Sequence, residues 1–181
     1  MISISYLQMD IAISVLWVTV RAICGIRGRK FDIRREAALL LVYICIIVVA
    51  RFTFFPFGKG NGQIQPLLFD RERIFPLWLN LKPFIYLFDY PTMGKALLNL
   101  IGNIAMFIPL GIVWPSVFNK LNTHRKVIAA GFFASFCIEI LQLPFFDRAS
   151  DIDDLFLNTA GYVMGYGIYL LVRKIRKKNR P

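Results

Sequence analysis

Histidine, cysteine and acidic residues are scarce in this chain of 181 residues, which holds one His, three Cys and 11 Asp and Glu. Cys24, Cys45 and Cys137 are scattered through apolar sequence without paired spacing, so they form neither a disulfide framework nor a metal motif. His124 lies beside Arg125 and Lys126 in a short basic connection, which excludes a histidine-based site on the opposite membrane face. No Ser, Cys or His stands out as a nucleophile, and the sequence carries no nucleotide-binding motif, internal repeat or low-complexity segment.

Apolar residues are abundant instead: 57% of the chain is hydrophobic and its mean hydropathy is +0.57. Several runs approach the ~20 residues that cross a hydrocarbon core. They predict an all-α, polytopic membrane helix bundle of about five transmembrane helices. The expected spans are Ser5–Ile26, Ala37–Phe57, Ala96–Phe118, Val127–Phe146 and Asp154–Val172. The first is the weakest, being interrupted by Asp10 and Arg21. A signal peptide is its rival, but a basic n-region and a small-residue cleavage site are missing, which favours a retained helix. Arg21 is expected to snorkel toward one interface and Asp10 toward the other.

A net charge of +11 would suggest nucleic acid in a soluble protein, but its placement points to a membrane. Most Lys and Arg fall in three blocks, Arg27–Arg35, Lys120–Lys126 and Arg173–Arg180, after the first, third and fifth spans. The positive-inside rule makes that face cytoplasmic, giving N-terminus out and C-terminus in. The basic tail is expected to rest on anionic lipid headgroups, with no nucleic-acid partner. Residues 1–36 form a first helix with a basic loop, residues 37–172 the main membrane domain, and residues 173–181 the tail. Within the main domain, residues 63–95 are rich in aromatics and broken by Pro66, Pro76, Pro83 and Pro91. They read as a segment lying in the interface, either covering the outer mouth of the bundle or merely packing.

Against this apolar background the stretch from Glu139 to Asn158 is dense in polar residues. An ionisable group at a membrane-helix centre costs roughly 2.5–3.5 kcal/mol, so several together default to a site. At ~100° per residue, Asp154, Asn158, Gly161 and Gly165 form one stripe, and the glycines permit close helix approach. Glu139 and Gln142 share a face of the fourth span, as Asn99 and Asn103 do in the third. All lie at matched depth beneath the outer surface, so their convergence is expected. Duller roles stay open: Ser150-x-x-Asp153 as a capping box, Asn99 and Asn103 as interhelical glue, and Glu139 paired with Arg148 for structure alone. Pro109 and Pro115 would kink the third span.

These residues carry a resemblance. The order Asn80-Leu-Lys-Pro-Phe84, Asn99-x-x-Gly-Asn103-x-x-x-Phe-x-Pro109-x-Gly111, Glu139-x-x-Gln142 and Arg148-x-x-Asp151-x-x-Asp154-x-x-x-Asn158-x-x-Gly161 resembles the VanZ-like family. It extends from about Asn80 to Gly165. The resemblance implies a multi-pass protein of the bacterial cell membrane, associated with lowered susceptibility to teicoplanin and related lipoglycopeptides.

The leading expectation is therefore an outward-facing polar pocket that binds or modifies a cell-envelope lipid, a cell-wall lipid precursor or a lipoglycopeptide. Arg148 would contact phosphate or carboxylate, Glu139, Asp151 and Asp154 a hydroxyl or amine, and Gln142, Asn99, Asn103 and Asn158 would orient the ligand. If the protein is an enzyme, Glu139 and Asp154 are its candidate acid and base. No cofactor is expected, although Glu139 beside Gln142, facing Asp151, Asp154 and Asn158, offers oxygen ligands that suit Mg²⁺. A transporter and a scaffold for wall-synthesis proteins are the remaining classes; the missing repeat argues against the former.

Overall fold

The computed structural model describes residues 1–26, 32–55, 64–74, 79–82, 92–146, 148 and 150–179. Among these the chain forms α1 (Tyr6–Ile26), α2 (Ile33–Phe54), α3 (Met93–Val117), α4 (His124–Gln142) and α5 (Ile152–Lys178). Four short strands accompany them: β1 (Ile2–Ile4), β2 (Leu67–Phe69), β3 (Leu79–Asn80) and β4 (Ser150–Asp151). A 3₁₀ turn occupies Arg71–Ile74. The molecule is an all-α membrane bundle. Among the described residues α1, α2, α3 and α5 are long and apolar enough to cross a membrane. The fourth expected span is not one of these. Its helix, α4, opens on His124, Arg125 and Lys126 and carries Glu139 and Gln142 near its end, leaving only Val127–Ile138 uninterrupted by charge.

Capping explains why the helices start earlier than their apolar runs. Asp32, Thr92, Thr123 and Asp151 sit in extended backbone ahead of α2, α3, α4 and α5. Each accepts a hydrogen bond from an amide of the first turn, which would otherwise lack a partner. The cap of α5 is thus Asp151, not the Ser150 of the sequence-based capping box. At the other end α5 runs on through Arg173 to Lys178, where basic side chains suit the helix C-terminus. Helix α3 stays helical through Pro109 and Pro115.

Close packing of α3 on α5 organises the bundle. A Cβ added at Gly161 would collide with the Ile104 carbonyl, one at Gly165 with the Ile108 carbonyl, and one at Gly111 with the Tyr162 carbonyl. The two backbones therefore touch. Gly131 makes a matching slot on α4, where a Cβ would strike the Tyr162 ring, which is fully buried. Cys45, Val49, Phe107, Leu110 and Val127 close around that tyrosine.

Helix α1 lies at the edge, with none of its described residues buried. It holds α2 by contacts of mixed polarity: Ser14 Oγ with Tyr43 Oη at 2.7 Å, Trp17 against Tyr43, and an Arg21–Glu36 ion pair. Arg21 therefore meets a carboxylate in the first turn of α2.

The strands gather at one end. Strand β1 pairs antiparallel with β2, Ile4 opposite Leu67, and Phe69 bridges to Phe145 after α4. Strand β3 pairs parallel with β4, setting Leu79 opposite Ser150 and Asn80 opposite Asp151. This end collects the C-termini of α2 and α4 and the N-termini of α3 and α5. Of the aromatic segment expected at the interface, residues 63, 75–78 and 83–91 lie outside the described residues.

Candidate functional site

The strand end brings together acids and amides from five elements, β3, α3, α4, β4 and α5. Glu139, on the last turn of α4, is 4% exposed. Its Oε2 accepts the backbone N–H of Asp151 at 2.9 Å, and the Ser150 hydroxyl bonds the same carboxyl group. That carboxyl therefore ties α4 to the start of α5. Asp151 is divided between two tasks. Its Oδ1 accepts the Asp153 N–H at 2.9 Å as the helix cap, and its Oδ2 accepts Asn80 Nδ2 at 3.0 Å from β3. The motif residue Asn80 thus enters the cluster through the parallel pairing of β3 with β4.

Asp154 faces α3. Asn103 donates its Nδ2 to Asp154 Oδ1, and Asn99, one turn away on the same face, also hydrogen-bonds this carboxyl group. The expected convergence of α3 with α5 is therefore made of direct bonds. Asp151 and Asp154 are the acidic neighbours of Glu139, and Arg148 is the basic neighbour of Asp154. Glu139 and Asn103 are buried, while Asn80, Asn99, Arg148, Asp151 and Asp154 are partly exposed. The cluster has a rim and a floor.

Two expected ligand-binding residues also bond α2. Gln142 donates Nε2 to the Thr53 carbonyl at 2.9 Å, and Arg148 donates Nη2 to the Phe54 carbonyl at 2.8 Å. These are C-terminal carbonyls of α2, which the helix itself leaves without a partner. Both side chains therefore cap α2 across the interhelical gap. Gln142→Leu keeps the volume and strips the donor from a buried carbonyl, so it is expected to cost about 1–3 kcal/mol. A thermal-unfolding series in detergent measures this; an unchanged midpoint would show that the carbonyl finds another donor.

Asn158 lies one turn below Asp154 and donates Nδ2 to Ser135 Oγ at 3.0 Å. Ser135 is fully buried, and its spacing of four from Glu139 on α4 was the signal that could have found it. Asp153, off the stripe that carries Asp154, is buried as well, at 4% exposure. Among the described residues no three His, Cys, Asp or Glu side chains are grouped to hold a metal ion. The carboxyl oxygens that would serve Mg²⁺ are committed in part to Asn80, Asn103 and the amides of Asp151 and Asp153.

The elements that build this cluster, α3, α4, α5 and most of α2, coincide with a family match. The VanZ/LLP1 family matches residues 40–173, reaching well upstream of the motif order and leaving out α1. No curated protein and no solved structure matches the chain. With most of its length inside the family match and the motif amides and acids bonded to one another across helices, the chain belongs to the VanZ-like family of multi-pass membrane proteins.

Proposed function

We propose that the strand-end cluster is an outward-facing site in a bacterial cell membrane, and that it binds or modifies the headgroup of an envelope amphiphile. Through that site the chain lowers susceptibility to teicoplanin-type lipoglycopeptides. One observation carries this reading. Two acids on different helices, Glu139 and Asp154, are neighbours at one end of an otherwise apolar bundle, and amides of a third helix hold one of them. Such groups are costly in a membrane, and a polar ligand would offset that cost. Lys120, Arg125, Lys126, Arg173, Arg176, Lys177 and Lys178 stand at the opposite end, exposed, which supports an outward cluster by the positive-inside rule. Membrane lipids are accordingly its first partners.

If the site modifies its ligand, Glu139 and Asp154 take the roles of acid and base, since they are paired acids in different bonding environments. Expression in a teicoplanin-susceptible bacterium tests both forms. The wild-type chain is expected to raise the inhibitory concentration, and Asp154→Asn to return it to the empty-vector value at equal protein level. A lipid species that appears in envelope extracts with the wild type and disappears with Asp154→Asn would identify chemistry. Wild-type cells with neither a susceptibility change nor headgroup binding would end the proposal.

A further inference from the structure

The amide side chains of the strand end and the helix beneath it are oriented alike. Asn80, Asn103, Gln142 and Asn158 each turn an NH2 group to a protein acceptor: Asp151, Asp154, the Thr53 carbonyl and Ser135. Each keeps one further N–H and its carbonyl oxygen, of which Asn80 Oδ1 takes the Lys82 N–H at 3.4 Å. Asn158 is the sharpest case. It is 1% exposed, and its Oδ1 is buried with no hydrogen-bond partner among the described residues. Helix side chains lean toward their helix N-terminus, and at the N-terminus of α5 stand Asp151, Asp153 and Asp154. With Nδ2 held by Ser135 on α4, Oδ1 remains as an acceptor for a donor that the described residues do not supply.

The nearest charges agree with this. Asp151 and Asp154 are the charged neighbours of Glu139, with Arg148 beside Asp154, while Arg71, Lys82 and Lys95 stand exposed at the same end. A phosphate or carboxylate brings only acceptors and negative charge. A primary ammonium brings three N–H donors and a positive charge in a group small enough for a narrow floor. We infer that the ligand presents a primary ammonium group to the cluster, with Glu139, Asp154 and Asn158 Oδ1 as its acceptors. This rests on the headgroup reading above and adds the chemical class of the headgroup.

Native mass spectrometry of the full chain in detergent tests it with short-chain phosphatidylethanolamine, phosphatidylcholine and phosphatidylglycerol. Ethanolamine and choline lipids share a phosphate and a cationic nitrogen, but only ethanolamine has N–H donors. The expected result is at least about tenfold tighter binding of the ethanolamine lipid than of the choline lipid, because a site built to bond N–H groups rejects an analogue without them. Asn158→Leu, which keeps the volume and removes Oδ1, is expected to shrink that ratio toward one. Free ethanolamine binding as tightly as its lipid would support the ammonium site and give it a soluble ligand. Equal binding of all three lipids would overturn the ammonium assignment while leaving a headgroup site. Saturable binding of none of the lipids, nor of free ethanolamine, would overturn both readings, and neither of these outcomes depends on a variant folding.

Discussion

Gly161→Ala and Gly165→Ala are each expected to destabilise the protein by on the order of 3 kcal/mol, and Gly161→Val to leave little folded material in the membrane fraction. Helix propensity alone predicts the opposite sign, since alanine is favoured over glycine in a helix interior by about 1 kcal/mol. Packing reverses it. The added Cβ at residue 161 or 165 meets a backbone carbonyl of α3, at Ile104 or Ile108, and a backbone cannot rotate aside as a side chain can. Relief requires α3 and α5 to move apart, which would loosen the Asn103–Asp154 bond at their strand end. Gly102 supplies the control. It also lies in α3, but an added Cβ there meets nothing within 4 Å, so Gly102→Ala is expected to be neutral or to stabilise by up to about 1 kcal/mol. Thermal midpoints of the purified variants in one detergent separate the two cases. A similar loss at Gly102 would remove the contact explanation.

The contrast between these glycines shows what the sequence could and could not disclose. Gly161 and Gly165 were legible as a contact stripe because their spacing places them on one face of α5. What they touch was not, for the partner is the α3 backbone at Ile104 and Ile108, and a carbonyl leaves no mark in a side-chain pattern. The same reason hid the roles of Gln142 and Arg148. Their types and spacing suggested a ligand, yet they bond the last carbonyls of α2, groups present at the end of any helix. Glu139, Asp154, Asn99 and Asn103 were read more fully, because depth along a helix follows from counting and matched depths could be compared across spans. Asp153 and Asp154 show the limit of that counting. At the first turn of α5 the stripe turned Asp154 toward α3, where it bonds Asn103, but gave no sign that Asp153 would be buried too. The apolar runs placed all five helices, but α4 carries charge at both ends and falls outside the four helices apolar enough to cross a membrane on their own.

Glu139→Gln is expected to separate site from scaffold. The substitution keeps the shape of the side chain, and its carbonyl oxygen can still accept the Asp151 N–H that joins α4 to α5. Expression and thermal midpoint should therefore stay within about 1 kcal/mol of the wild type. Binding should not. A hydrogen bond to a charged partner contributes about 1.5–3 kcal/mol, so its loss corresponds to roughly 10- to 100-fold weaker headgroup affinity. Susceptibility to the lipoglycopeptide should rise in parallel. Glu139→Ala makes the complementary case. It removes the acceptor as well, leaving the Asp151 amide and the Ser150 hydroxyl without their carboxyl partner at a helix junction, so stability and function should fall together. Titration of a short-chain lipid into both variants, beside their unfolding curves, distinguishes the two effects. If the glutamine variant binds and protects as the wild type does, the carboxylate is a strut between α4 and α5, and the ligand must be held by the Asp154 side of the cluster.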